Sequence, residues 1–135
     1  MQDYFFVDPE EVRIPLFGSH YIDVKKELNA GEYRKLLYDQ FKDTDGGKIA
    51  IDHAKVGISK VLAYLLGWSF RDKLGQPIAY NVEQPEEVRR ALLDNLKQDV
   101  YRDLLKAINA HEEAQEAALE AKKNDPSTAR SSSVT

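Results

Sequence analysis

The residues whose spacing comes closest to metal chemistry are in the acidic segment Asp43-Thr44-Asp45-Gly46-Gly47. A calcium loop needs oxygen ligands at alternating positions, a glycine at the sixth position and a bidentate glutamate at the twelfth. Counted from Asp43, the sixth residue is Lys48 and the twelfth is Ala54, so the closing ligand is missing. The segment therefore favours a polar loop between two helices.

A second partial motif is His111-Glu112-Glu113-Ala114-Gln115, which begins like the helix of a zinc protease. Zinc would need a second histidine one turn later, and Gln115 stands there. The chain has no cysteine, and no two of its three histidines are at ligand spacing, so we predict no metal site and no cofactor.

Motifs for covalent or phosphate chemistry are also missing from the sequence. We find no nucleophile elbow, no phosphate-binding loop and no dinucleotide fingerprint. We therefore predict no catalytic residues and a protein that is not an enzyme. Catalysis by scattered residues stays open as an alternative, since motifs do not cover every active site.

Aromatic residues are the remaining candidates for function. Tyr64, Trp68 and Phe70 cluster near the end of the most apolar predicted helix, and Tyr33 and Phe41 lie on the helix before it. Aromatic side chains dominate protein-binding hot spots, so we predict these five as partner-binding residues. Any single one of them is more often a core residue, which is the competing interpretation.

Charge and hydropathy narrow the kinds of partner. The formal net charge is -4, and basic and acidic residues are interleaved along the chain, which does not favour nucleic-acid binding. The longest apolar run, residues 61–68, is far shorter than the roughly 20 residues of a membrane span, and the N-terminus lacks the pattern of a secretory signal. We predict neither a nucleic-acid nor a membrane partner.

The elements that must position these residues begin with a hairpin. Residues 12–16 and 20–24 are rich in strand-forming residues and flank Phe17-Gly18-Ser19, which predicts two strands joined by a turn. Pro15 has no N–H to donate, so the first strand should lie at an edge or carry a bulge.

Helices are predicted for most of the remaining chain. Asn29 and Glu32 form a capping box that starts a helix running through Phe41, and an apolar core helix begins near Asp52 and closes at Gly67 and Trp68. Pro85 suits the first turn of the next helix, and a break near Asp94-Asn95 is expected to separate it from a long last helix.

These elements predict an α+β fold that is mainly α, with an N-terminal β-hairpin packed on a bundle of three to four helices. The predicted organisation is an N-terminal arm at residues 1–11, a single α-rich domain at 12–123 and a disordered polar tail at 124–135. Beyond Ile108 the apolar pattern thins to Ala, Glu, Gln and Lys, so a solvated helix is expected there.

Three stretches of the sequence resemble the tail assembly chaperones of long-tailed, siphovirus-like bacteriophages. The stretches are the hairpin and helix start from Ile14 to Glu32, the core-helix end with Trp68-Ser69 and Gly75-Gln76-Pro77, and the helical segment ending at His111. Together they cover most of residues 12–111.

The resemblance implies a protein of the host cytoplasm that binds the tape measure protein and aids assembly of the tail tube protein around it. It also implies a possible homo-oligomer and, in some members, a longer frameshifted form. The alternative is a structural virion protein, such as a head–tail connector or tail completion component, which would remain in purified particles. A small acidic regulator is the third possibility.

Overall fold

The structure is a computed structural model that describes residues 5–43, 49–51 and 53–123, with side chains described at 5–40 and 56–121. Its elements are β1 Glu11–Pro15, β2 Tyr21–Lys25, α1 Ala30–Asp39, β3 Phe41–Asp43, β4 Ile49–Ile51, α2 His53–Tyr64, β5 Leu65–Trp68, α3 Glu86–Asp94 and α4 Gln98–Lys123. The predicted fold class is confirmed, because an antiparallel sheet packs on four helices.

The N-terminal hairpin forms as predicted. β1 and β2 pair antiparallel with Val12 opposite Val24 and Ile14 opposite Ile22. Gly18 supplies the turn conformation with φ +56, which is a region that favours glycine. The sheet order is β1-β2-β5, so Pro15 lies in an edge strand, where its missing N–H interrupts no ladder.

The core helix is shorter than the sequence predicts. α2 ends at Tyr64, and the next four residues form β5, which pairs with the free edge of β2 through Ile22–Trp68 and Val24–Leu65. The prediction of a helix to Trp68 was therefore wrong. A short apolar run suits a buried helix and a buried strand equally, and here pairing with β2 decides between them.

The first helix also ends earlier than predicted. The capping box is confirmed, with the Glu32 N–H donating to Asn29 Oδ1 at 2.8 Å and the Asn29 N–H donating to Glu32 Oε1 at 3.0 Å. α1 stops at Asp39, and Phe41 lies in β3, which pairs with β4 as a second hairpin. Residues 44–48 of the predicted acidic loop lie outside the described residues, as does the predicted tail from residue 124.

The hydrophobic core lies between the sheet and the helices. Its completely buried side chains come from every layer and are Ile22, Val24, Val61, Leu65, Leu104 and Ile108. Gly57 allows α2 to approach α4 closely, because a Cβ there would lie 3.1 Å from Leu105 Cδ2. α3 and α4 are separate helices, which confirms the predicted break. Pro85 is the N-cap residue of α3, one position before the first turn where the sequence places it, and it makes no side-chain capping hydrogen bond.

Candidate protein-binding surface

Two of the predicted partner-binding residues are buried in the core. The side chains of Tyr64 and Phe70 are 6% and 7% exposed. The Tyr64 ring meets the His111 ring edge-on at a centroid distance of 5.9 Å, which joins α2 to α4. Phe70 packs against Phe17 and Trp68. In this fold, both side chains hold elements together and offer little area to a partner.

Trp68 is half-buried and lies at the centre of an aromatic group. Its ring is 5.0 Å from the Phe70 ring and 4.8 Å from the Tyr80 ring, measured between centroids. Its indole N–H donates to the Ile78 carbonyl at 2.6 Å. Trp68 therefore fixes the loop that follows β5 against the sheet.

Tyr33 is the predicted binding residue that the structure places on the surface. Its side chain is 51% exposed, and Leu37, one helical turn later on the same side of α1, is 38% exposed. We call Tyr33 and Leu37 the α1 surface. Tyr38 is more exposed, at 81%, but it lies about 140° around the helix axis from Tyr33. The side chain of Phe41 lies outside the described residues.

The long helix α4 is fixed to the rest of the domain near its middle. His111 Nε2 lies 3.0 Å from the carbonyl oxygens of both Lys25 and Lys26. Lys60 on α2 donates to Asn109 Oδ1 at 2.9 Å and pairs with Glu112 at the same distance. These contacts attach α4 to β2 and α2, and they are long-range contacts that the sequence pattern did not predict.

Beyond Glu112, the side chains of α4 contribute little to the hydrophobic core. Residues 113–121 are exposed except for a half-buried Gln115, and Leu119 is 52% exposed. Glu112, Glu116 and Leu119 recur at helical spacing and therefore share one face of α4. The second half of α4 thus presents an acidic face with one large apolar side chain.

Tyr64 lies at the end of α2. Burial, followed by the negative charges of Glu112 and Glu116, raises the pKa of Tyr64 to about 12. α1 and α4 both pack against α2.

A cleft of about 260 Å³ between α1, α2 and α3 is lined mainly by charged groups that pair with one another. Lys25 pairs with Glu32, and Lys35 lies 2.6 Å from Asp39 and 3.1 Å from Glu86. Burial opposes ionisation of Glu32, but the Asn29 N–H and the Lys25 ammonium outweigh it and lower the pKa of the carboxyl. These ion pairs connect α1 with β2 and α3.

Within the part of the chain that the structure describes, no group of three or more His, Cys, Asp or Glu side chains is arranged to hold a metal ion. His20 lies 3.1 Å from Ser69 Oγ through Nδ1, and the side chain of His53 lies outside the described residues. Over the same described residues, no helix is both long and apolar enough to cross a membrane.

Comparison with known proteins gives no match, whether with family models, with curated protein sequences or with solved structures. The geometry of the surface is therefore the basis for the functional argument.

Proposed function

We propose that this chain is a non-enzymatic protein that binds an amphipathic helix of another protein. The observation that carries the proposal is the α1 surface, where Tyr33 and Leu37 are exposed on one side of the helix. The second half of α4 is also exposed and has almost no core of its own. Helix-binding proteins use such apolar side chains as anchors for the apolar face of the bound helix.

The shape of α4 supports a binding role. Residues 116–121 of α4 are exposed, and these six residues add about 9 Å of helix at 1.5 Å per residue. A helical segment without tertiary packing gains little stability from propensity alone. A partner helix lying along this part of α4 would cover Leu119.

The acidic charge on the second half of α4 indicates which charges the bound helix carries. Glu113, Glu116 and Glu120 are exposed on the second half of α4. Opposite charges at the rim of an interface favour the correct partner and speed association. The client is therefore an amphipathic helix that has basic residues beside its apolar face.

The resemblance to tail assembly chaperones implies that the client is the tape measure protein. On this proposal the chain works in the host cytoplasm, keeps the helical tape measure protein soluble and helps to bring the tail tube protein to it. A homo-oligomer of the chain is compatible with this role.

Co-expression with the tape measure protein encoded in the same genome tests the proposal. We expect the client to become soluble and to co-purify, and Tyr33→Ser to weaken the binding by about tenfold, as for a hot-spot aromatic. Tyr38→Ser is the matched control, because it removes a similar exposed ring from the other side of α1. A client that stays insoluble beside the wild-type chain, or that is lost equally with both variants, contradicts the proposal.

A further inference from the structure

A second surface lies at the opposite end of the hairpin from the N-terminal segment. A groove of about 500 Å³ runs between the hairpin turn, the loop after β5 and the connection between α3 and α4. We call it the basic groove. Its lining includes the apolar side chains of Phe17, Phe70, Leu96 and Val100 and the cationic side chains of Arg71, Lys73 and Lys97.

The apolar floor of the groove is a rigid structure. The rings of Phe17 and Phe70 are stacked with their planes 6° apart at a centroid distance of 6.2 Å. Phe70 rests in turn on Trp68. Phe17 is 37% exposed, so one aromatic surface of this stack faces the groove.

The cations of the groove differ from most others in the described chain. Arg13, Lys25, Lys26, Lys35, Lys60 and Arg90 each lie within salt-bridge distance of a carboxylate. Among the described residues, no carboxylate lies at that distance from Arg71, Lys73 or Lys97. Asp72, the one carboxylate in the lining, accepts the backbone N–H groups of Leu74 and Gln76 at 2.9 Å.

The positive region is short. The neighbouring hollow on the α3 side, which shares Leu96 with the groove, contains Asp94 and Arg90, and Arg90 pairs with Glu86. The hollow beside Leu16 contains Asp103 and Lys106, whose charges cancel. A long polyanion such as single-stranded RNA needs cations along its whole path, and neither hollow adds net positive charge to the groove. A ligand with a few negative charges on either side of an apolar group fits the groove better.

We propose that the basic groove binds a short acidic segment of another protein, with an aromatic side chain seated on Phe17 and Phe70 and carboxylates facing Arg71, Lys73 and Lys97. The chain then carries two surfaces of opposite charge, one acidic on the second half of α4 and one basic at the hairpin turn. It can therefore bring a basic helix and an acidic segment together.

The chain's own N-terminal segment has residues of this type, since Phe5 and Phe6 precede Asp8 and are 87% and 92% exposed. Asp8 is fixed at the far end of the hairpin, where its N–H donates to Glu27 Oε1 at 3.0 Å and its carboxylate pairs with Lys26. The five residues of β1 span about 17 Å, whereas the two residues from Asp8 to Phe6 reach at most about 7 Å. The segment therefore does not reach the groove of its own chain.

The test measures the fluorescence anisotropy of a labelled peptide that has two phenylalanines flanked by Asp and Glu on both sides. The full chain is expected to bind it, and the double variant Lys73→Glu/Lys97→Glu to bind it at least about tenfold more weakly. Phe17→Ser is expected to weaken binding without changing the net charge. Arg102→Glu, an exposed charge reversal on α4 outside the groove, is the matched control and is expected to weaken binding less than twofold.

Peptide controls complete the experiment. A peptide with two serines in place of the phenylalanines is expected to bind poorly, and equal binding of both peptides overturns the proposal. Tighter binding of a single-stranded RNA oligonucleotide also overturns it. If the wild-type chain self-associates, and both Phe5→Ser/Phe6→Ser and Lys73→Glu/Lys97→Glu abolish this, the occupant is a second copy and the proposal is wrong.

Two further measurements keep the result interpretable. Lys73→Gln/Lys97→Gln removes the same charges without adding acids, and it replaces the glutamate variant if circular dichroism shows that the latter is unfolded. Tyr33→Ser is expected to leave peptide binding unchanged, so a failure of the client experiment and a failure of the groove experiment are distinguishable.

Discussion

Trp68 provides the most direct test of how the sheet, the following loop and the aromatic group depend on one another. Its ring stacks on Phe70 and packs at a tilt against Tyr80, and its indole N–H donates to the Ile78 carbonyl at 2.6 Å. Replacing a tryptophan by alanine in a core costs about 3–5 kcal/mol, and we expect about 3 kcal/mol for Trp68→Ala because the ring is only half-buried.

Trp68→Phe separates packing from hydrogen bonding. The phenyl ring retains much of the stacking but has no N–H, so the Ile78 carbonyl loses its donor. We expect a loss of about 1–2 kcal/mol in the free energy of unfolding, which combines one lost hydrogen bond with a small packing defect. Because the proposed client contacts are Tyr33 and Leu37, Trp68→Phe should bind the client as the wild type does.

Urea unfolding followed by far-UV circular dichroism is the appropriate assay, because Trp68 is the only tryptophan and its replacement removes the fluorescence signal. Tyr38→Ala is the stability control, since an exposed side chain with no special contact changes stability by about 0.5 kcal/mol or less. A loss below about 1 kcal/mol for Trp68→Ala would refute the packing argument. Equal losses for the alanine and phenylalanine variants would show that the hydrogen bond, and not the stacking, dominates.

Two other predictions follow from the described contacts. Asn29→Ala removes one half of the capping box of α1 and is expected to lower the free energy of unfolding by about 1 kcal/mol. Urea unfolding monitored by Trp68 fluorescence measures this loss. An unchanged unfolding midpoint contradicts the prediction. The pKa of Tyr64 is raised to about 12 in the folded protein from an ordinary value near 10, so the folded state keeps this proton while the unfolded state loses it. The contribution of Tyr64 to the free energy of unfolding is complete below pH 10 and is lost as the pH rises through 12, by roughly 3 kcal/mol in total. Tyr64→Phe should therefore show a smaller alkaline decrease in stability than the wild type. Identical alkaline profiles of the two proteins would rule out the assignment.

The predictions that the structure confirms concern elements whose ends depend on residues close to them in the chain. Gly18 and the strand-forming residues around it specify the first hairpin, and Pro15 excludes β1 from the middle of a sheet. The side chains of Asn29 and Glu32 accept each other's backbone N–H groups, so the four residues 29–32 are enough to place the helix start. The break between α3 and α4 is confirmed for the same local reason, at Asp94-Asn95.

The sequence predicts the candidate sites less well than it predicts the fold. The five predicted aromatic residues share a residue type, but exposure separates Tyr33 from Tyr64 and Phe70, and exposure depends on which elements pack against each ring. Partner binding by these residues remains a prediction. The basic groove combines Phe17, Phe70 and Lys97 from three distant parts of the chain, so no sequence motif predicts it.

By itself, the sequence determined where turns and helix starts lie, because a glycine, a proline or a capping side chain acts on its own backbone and its nearest neighbours. The tertiary structure alone decided that residues 65–68 become β5 and that Phe41 leaves the helix for β3. An apolar run has no fixed secondary structure until a neighbouring edge or face buries it, and for residues 65–68 the free edge of β2 provides the hydrogen bonds that a longer helix would have made within itself.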